Sequence, residues 1–485
     1  MQLSAVWGVR MKWVLRIFLV FVVLGGGAGA YFYYATRPVL PDPRLACYYG
    51  AYETDRHELV VITPTSGREA LRMVMMYGET WRLEPTQPNT SATPTAFSAS
   101  PGWTEKVNTG ATVEFGSCAE GTVGVHGDVL PGLVAHRRAL DVTEATFESH
   151  GLKLSGRLVM PKSRGPVPVA VLVHGSESDS AVLFNRLQYI FPANGIGVFV
   201  YDKRGTGKSD GSYTQDFDLL ADDAAAALNK ARAMLGNRPT EVGFQGGSQA
   251  GWIEPLAAMK TKADFVLVGF GLAETPMDED RDCVVVNLRD AGYGDDVIAK
   301  AREITDATAV VISSHFSKGF EQIDALKAKY GKEPWYKAIK GQYTGQILAY
   351  PSFALRTIAS FFEVGTPYAY DSLPPLRAYD GPHLWVLGGD DSVAPSAQTL
   401  EVLRKLQVDK PKLSVVVFPK ADHGILEYER KNGERVDTRF SAGYFDLMVD
   451  WIKTKKINVP ADNAVVYRTA AGDAPPSGTA VMDTP

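Results

Sequence analysis

Glu241-Val242-Gly243-Phe244-Gln245-Gly246-Gly247-Ser248-Gln249-Ala250-Gly251-Trp252 decides how the rest of this chain is read. Val242 to Phe244 is a short apolar run of the kind that forms a buried strand. It ends at two glycines and a serine, and a helix-forming segment follows from Trp252 to Met259. Strand, tight turn and helix in that order present a serine hydroxyl at the top of a sheet. Glycines belong around such a serine because its backbone is strained and neighbouring chain passes too close for a Cβ. The turn also leaves the N–H of Gln249 pointing at whatever the serine attacks. One departure stands in the pattern G-x-S-x-G: its last position is Ala250, the smallest alternative, with Gly251 directly after it.

The alternation around that stretch extends it to a fold class. Val167–Val173 is a continuous apolar run, Gly197–Tyr201 a second strand, and Phe217–Leu235 carries apolar residues at helical spacing. Beyond the serine come strands at Phe265–Phe270, His383–Leu387 and Leu413–Phe418, and a closing helix near Ala442–Ile452. Alternating strands and helices predict an α/β domain with a mostly parallel sheet over residues 146–455. A hairpin around Gly151 opens it. Charged helical segments and scattered aromatics (Trp335, Tyr336, Tyr343, Phe353, Phe361, Phe362) interrupt it over 272–375 and read as a helical lid.

The remaining segments differ in texture. Residues 1–36 include a stretch from Ile17 to Ala35 without charge, preceded by Arg10, Lys12 and Arg16 and ending in Tyr31-Phe32-Tyr33-Tyr34. That is long enough to span a bilayer, and positive charge before it favours export of the chain beyond it. Ala28-Gly29-Ala30 also has the form of a signal-peptide cleavage site; continuation of the apolar run past that point favours an uncleaved anchor. Arg37 to Pro43 is a proline-rich linker. Residues 37–145 carry short β-type runs separated by Gly, Pro, Ser and Thr, as in a small β-rich accessory domain. His57 and His126 stand there without metal-ligand partners. The tail, 456–485, is rich in Ala, Pro, Gly and Thr and is expected to be disordered.

Composition narrows the function. The chain has 485 residues, 45% hydrophobic and 22% charged, with formal net charge -5. Nothing in that balance calls for nucleic acid. Three cysteines, Cys47, Cys118 and Cys283, give no C-x-x-C spacing, and no H-E-x-x-H occurs, so neither a metal nor a cofactor is expected. A Cys47–Cys118 bridge is compatible with an oxidising compartment. Asp202-Lys203-Arg204-Gly205-Thr206-Gly207-Lys208-Ser209 mimics the end of a phosphate loop, but Asp202 stands where that loop needs glycine. Asp202 and Arg204 are better placed to fix the loop after their strand.

Serine becomes a nucleophile when an imidazole takes its proton and an acid orients that imidazole. Asp391 follows the strand ending at Leu387, and His423 follows the strand ending at Phe418. Ser248, Asp391 and His423 thus come after three strand ends, on the edge where open parallel sheets bind ligands. Each residue alone would pass for a turn histidine, a solvated loop acid or a loop serine. Together, in this order, they form a coherent triad. His174-Gly175-Ser176 leaves an earlier strand end, so the N–H of Ser176 can join that of Gln249 in an oxyanion hole; His174 itself reads as structural.

These residues resemble the α/β-hydrolase superfamily. His174-Gly175-Ser176, Asp202-x-Arg204-Gly205-x-Gly207-x-Ser209, Gly246-x-Ser248-Gln249-x-Gly251-Trp252, Asp391-x-x-x-Pro395 and Asp422-His423-Gly424 carry the likeness. It is strongest to bacterial serine hydrolases of S33, prolyl-oligopeptidase-like and acyl-thioesterase-like type. The resemblance implies Ser248 as nucleophile, Asp391 as acid and His423 as base. The expected activity is hydrolysis of a carboxylic ester or thioester of a small molecule, at an extracytoplasmic site (periplasmic in a bacterium) joined to the membrane through the N-terminal segment. A serine peptidase and a hydrolase-fold binding protein without catalysis are the alternatives. The lid aromatics lead to an expectation of an apolar acyl or aryl group.

Overall fold

The computed structural model describes residues 39–103, 106–107, 109–127, 132–163, 165–236, 241–358, 363–458, 463–468 and 480–481. The apolar N-terminal span lies outside them. Among the described residues no helix is long and apolar enough to cross a membrane.

Eight strands form a closed antiparallel barrel: β1 (Gly50–Thr54), β2 (Leu59–Pro64), β3 (Leu71–Met75), β4 (Thr80–Pro85), β5 (Ala96–Pro101), β6 (Thr112–Phe115), β7 (Thr122–His126) and β8 (Leu133–Arg137). β8 closes on β1 through Tyr52↔Arg137 and Thr54↔Ala135. Closure leaves no open edge, so short strands suffice. Tyr52, Val60, Ile62, Leu83, Phe97 and Val113 fill the interior. A disulfide, Cys47–Cys118, ties the turn Pro43–Tyr48 to the β6–β7 connection. His57 is exposed beside Glu53, and His126 lies beside Glu114.

The second sheet begins at β9 (Leu140–Ser149), so it takes in residues 140–145 expected in the accessory region. β10 (Leu152–Pro161) completes the hairpin. Then come β11 (Val169–Val173), β12 (Gly197–Tyr201), β13 (Val242–Gly247), β14 (Val266–Gly269), β15 (His383–Gly388) and β16 (Leu413–Phe418). Their order across the sheet is β9, β10, β12, β11, β13, β14, β15, β16, with β12 to β16 mutually parallel. Val169, Val171 and Val173 face one core, shared with the helices Phe217–Leu235 and Ala250–Thr261. Ala170 and Leu172 face the other, shared with Leu187–Ala193 and Tyr444–Thr454. Burial on both faces explains why these strands read as continuous apolar runs.

Three features depart from the sequence reading. The first is a hairpin after His423, formed by β17 (Leu426–Lys431) and β18 (Glu434–Phe440). Its turn residues, Asn432 and Gly433, both have positive φ, at 53° and 86°, as a two-residue hairpin turn requires. Second, the tail is not wholly without structure: β19 (Val465–Tyr467) pairs antiparallel with β16, and β20 (Ala480–Val481) pairs with β19. The β-favouring triplet Val465-Val466-Tyr467 covers the open edge of β16, and Val466 is buried there. Third, the helices between β14 and β15, from Pro276–Asp290 to Leu373–Ala378, have a core of their own. Trp335 is buried in that core, Tyr336 packs on it, and Phe353 is exposed; Phe361 and Phe362 lie outside the described residues.

The barrel packs against the sheet domain. Ala51, Leu59, Val61 and Val74 join the cluster that contains Ile190, Phe191, Phe440 and Phe445. The β3–β4 turn comes so close to β18 that a Cβ on Gly78 would sit 2.2 Å from the Phe440 carbonyl oxygen. Phe440 N–H donates to the Gly78 carbonyl at 3.0 Å.

Candidate active site

β13 delivers Ser248 in the left-handed region, φ 55°, a conformation that costs a non-glycine residue energy and persists only where its surroundings impose it. Two backbone bonds impose it here. Ser248 N–H donates to the Gly269 carbonyl at 3.0 Å, and Gly251 N–H donates to the Ser248 carbonyl at 2.9 Å. A Cβ on Gly247 would lie 2.3 Å from the Phe270 ring, so only glycine fits there. Ala250 is accommodated by its neighbour: a Cβ on Gly246 would come 2.6 Å from the Ala250 Cβ, and that space is free because residue 246 is glycine.

Asp391 and His423 come from the ends of β15 and β16. His423 Nδ1 is 2.9 Å from Asp391 Oδ2. The other carboxylate oxygen, Asp391 Oδ1, accepts the N–H groups of Val393 at 3.0 Å and Ala394 at 2.7 Å. Asp391 is 2% exposed, whereas Asp390 is exposed and receives the Tyr428 hydroxyl at 3.3 Å. The Phe270 ring stands edge-on to the imidazole, 4.9 Å between centroids. Burial opposes a charge on His423, but the Asp391 carboxylate, helped by Asp422 and Asp437, outweighs it and holds the imidazole above its ordinary pKa. Ser248 and His423 line one cleft of about 520 Å³ with Gly175, Ser176, Trp103, Arg186, Phe440 and Tyr444.

The loop after β11 runs against the nucleophile: a Cβ on Gly175 would lie 3.5 Å from the Ser248 Cβ. Beneath that loop is Lys203, 1% exposed, whose Nζ donates to the carbonyls of Gly175 at 2.7 Å and Glu177 at 3.0 Å. Burial pulls this lysine down to about 8. In a trans peptide the N–H points opposite to the preceding C=O. Anchoring the Gly175 carbonyl on Lys203 therefore turns the Ser176 N–H away from the lysine. The Ser176 carbonyl is held by the Tyr213 hydroxyl. Gln249 occupies the N-cap position of the helix Ala250–Thr261 without a side-chain capping bond, at the end where the first N–H groups lack intrahelical acceptors. His174 is buried with Nε2 2.8 Å from the Tyr201 carbonyl oxygen, and burial lowers it to about 3. It is structural. Asp202 accepts from Ser180 Oγ at 2.6 Å and from the N–H groups of Val182 and Lys208, while Arg204 pairs with Asp223 through two bonds of 2.7 and 2.6 Å.

Sequence reasoning missed a second tier around the histidine. Asp422 Oδ1 accepts the His423 N–H at 2.8 Å and the Ser392 N–H at 2.7 Å. Its Oδ2 accepts Arg435 at 2.9 Å, and Arg435 also binds Asp290 of the helical insertion at 2.6 Å. Asp437, raised to about 6 by burial and by the Asp422 charge, lies in the same group. Arg435 and Asp437 reach the site on the hairpin; the only signal for it was Asn432-Gly433 between two weakly alternating runs. Lys203 stood in plain view, but only the fold shows that it points back under the loop after β11. The lid aromatics Trp335, Tyr336, Tyr343 and Phe353 do not line the Ser248 cleft; its aromatic wall is Trp103, Phe184, Phe270, Phe440, Tyr444 and Phe445. Among the described residues no group of His, Cys, Asp and Glu side chains could hold a metal ion.

The chain is similar to several known proteins. A thiohydrolase, aneE, of Aspergillus aculeatus is 32% identical over 103 residues, 21% of this chain and 32% of that protein; the chain thus spans about a third of that relative's length. Among solved structures, an esterase of Pyrococcus furiosus matches with TM-score 0.38 and 14% identity, over 59% of this chain and 84% of the other. Est1E of Butyrivibrio proteoclasticus, with ferulic acid bound, matches with TM-score 0.37 and 15% identity, over 64% and 96%. The family model described as alpha/beta hydrolase fold matches residues 168–429. That match takes in β11 to β16, the start of β17 and every residue of the proposed triad, and the chain belongs to the alpha/beta hydrolase fold family.

Proposed function

We propose that the protein is a serine hydrolase that cleaves a carboxylic ester of a small molecule through an acyl-enzyme. The observation that carries this reading is the bond between His423 Nδ1 and Asp391, at a histidine that shares one cleft with a strained serine. With Asp391 accepting the proton on Nδ1, Nε2 is the free base. Ser248 Oγ attacks the ester carbonyl and its proton passes to Nε2. The carbonyl oxygen gains the charge, held by the N–H groups of Ser176 and Gln249. Collapse expels the alcohol, which takes the proton from His423. Water then attacks the acyl-serine with His423 as base, releasing the acid and restoring Ser248. A thioester follows the same steps with a thiol leaving; the relative named a thiohydrolase favours keeping that substrate in view.

Labelling with a fluorophosphonate tests the reading. The wild-type chain should be modified and should hydrolyse p-nitrophenyl butyrate, and Ser248→Ala should do neither. A wild-type chain that is not labelled would leave a binding protein; one that cleaves peptidyl anilides but no ester would be a peptidase. We also propose an extracytoplasmic location, supported by the Cys47–Cys118 bridge, which needs an oxidising compartment. Protease added to intact spheroplasts should digest the hydrolase domain; digestion only after lysis would refute the orientation.

A further inference from the structure

Arg186 lines the Ser248 cleft, and among the described residues no acidic side chain pairs with its charge. Arginines at such places are normally matched, because a guanidinium offers five donors in a fixed fork. Two other arginines of this chain are matched by acids: Arg204 binds Asp223, and Arg435 binds both Asp290 and Asp422. Arg186 instead lies over two rings, its Cζ 5.2 Å from the Trp103 centroid and 4.9 Å from that of Phe440. Rings attract a cation but accept none of its in-plane hydrogen bonds. Arg186 Nε is buried without an acceptor, and so is Trp103 Nε1 beside it.

A second guanidinium adds to the imbalance. Arg72 lies on the same Trp103 ring at 4.4 Å, but its two Nη groups are used by the carbonyls of Gly102 and Trp103, both at 2.7 Å. Its Nε, like that of Arg186, is buried without an acceptor, so it adds charge with only that one donor unused. Burial brings Arg186 down only to about 10, so it stays protonated at neutral pH. The carboxylates of the cleft, Glu177 and Asp179, are exposed, and Glu177 is bonded to the Gly175 N–H at 3.2 Å. One wall of the cleft therefore carries a cation with unused donors, and another carries the candidate nucleophile.

We infer that the substrate bears a free carboxylate besides the ester that is cleaved, and that Arg186 is the residue that recognises it. This rests on the ester-hydrolase reading of the same cleft. A carboxylate has the planar, two-oxygen geometry that a guanidinium fork binds, and the aromatic wall beside it suits a short apolar spacer. The barrel contributes to the choice, since Trp103 supports the guanidinium from the barrel side.

The test compares matched pairs of esters. One pair is p-nitrophenyl hydrogen succinate and p-nitrophenyl butyrate, with the carboxylate on the acyl side. The other is 4-acetoxybenzoate and phenyl acetate, with the carboxylate on the leaving group. For at least one pair the wild-type chain should prefer the anionic ester. Arg186→Met should lower that preference, the ratio of the two kcat/KM values, by about tenfold to hundredfold, the range of a charge-assisted hydrogen bond, and Arg186→Lys should restore part of it. An unchanged ratio in both pairs overturns the inference and leaves Arg186 as a packing wedge between Trp103 and Phe440. If Arg186→Met does not fold, the wild-type chain decides: glutarate should inhibit butyrate hydrolysis competitively and glutaramide should not, and equal inhibition overturns the inference. If no ester is cleaved, the hydrolase reading has failed separately. Thermal stabilisation of the wild-type chain by glutarate would then still uphold the carboxylate site, and its absence would remove it.

Discussion

Replacing Asp391 by Asn tests the site at its most constrained atom. Asp391 Oδ1 accepts two backbone N–H groups, from Val393 at 3.0 Å and Ala394 at 2.7 Å, and Oδ2 faces His423 Nδ1 at 2.9 Å. In the asparagine variant the carbonyl oxygen must stay with the two N–H donors, because the amide nitrogen cannot accept them. The NH₂ group is thereby forced to face His423. It donates, so Nδ1 must accept, and the imidazole proton moves to Nε2, the atom that has to receive the serine proton. The variant keeps its fold and holds the wrong tautomer. Such a change costs about 10⁴ in turnover, which at about 1.4 kcal/mol per decade is about 5 kcal/mol of barrier. Asp390→Asn disturbs only an exposed contact with the Tyr428 hydroxyl and should change the rate by less than about threefold, within the small effects of surface substitutions. Initial rates on one activated ester, with circular dichroism to confirm folding, separate the two. If Asp391→Asn keeps a tenth of the wild-type rate, or if Asp390→Asn is the inactive variant, the tautomer argument is wrong.

The geometry sets three further outcomes. The rate should rise with pH through a pKa above the ordinary histidine value, because the Asp391, Asp422 and Asp437 carboxylates overcome burial at His423; Asp437→Asn should move this acid limb to lower pH, and an unmoved limb would refute the coupling. On the alkaline side the folded protein should lose the Lys203 proton near pH 8, loosening the Gly175 and Glu177 carbonyls, so kcat should fall there. Lys203→Met should lower kcat at neutral pH by about tenfold or more, as loss of oxyanion alignment does, and should abolish that limb in the pH profile. Glu274 is buried with both carboxylate oxygens unpartnered, and burial together with the Asp282 and Asp278 charges raises it to about 8. The folded state then binds the proton more tightly than the unfolded one, so this group's stabilisation is present at low pH and is lost as pH rises toward 8. Glu274→Gln should accordingly raise the melting temperature at pH 8 and change it little at pH 4; equal effects at both would refute the assignment.

The parallel sheet was legible because its strands are buried on both faces and end in distinctive turns. Gly197–Tyr201 and Leu413–Phe418 occupy the expected positions, and the order of Ser248, Asp391 and His423 pointed to one edge. The barrel was legible only in part. β5 lies inside a run of Thr, Ser, Ala and Pro with one aromatic, Phe97, and becomes a strand because β4 and β6 flank it. That pairing is non-local and leaves little trace in the run itself. The hairpin of β17 and β18 is mostly charged and half-buried, so alternation was weak where the turn signal was strong. The cleft wall was the hardest to read: Trp103 is separated by hundreds of residues from Phe440, yet their ring centroids are 5.4 Å apart.

That contact bears on how far the chain can be cut. Ala51, Leu59, Val61 and Val74 share a core with Ile190, Phe191 and Phe445, and the Gly78 turn is hydrogen-bonded to β18. A fragment starting at Leu140 would expose those partners to water and remove one side of the cleft. Exposed apolar area of that kind promotes aggregation. Exchanging the barrel for another β module would demand a replacement for Trp103 and for the close approach at Gly78, so the two units form a matched pair rather than interchangeable parts.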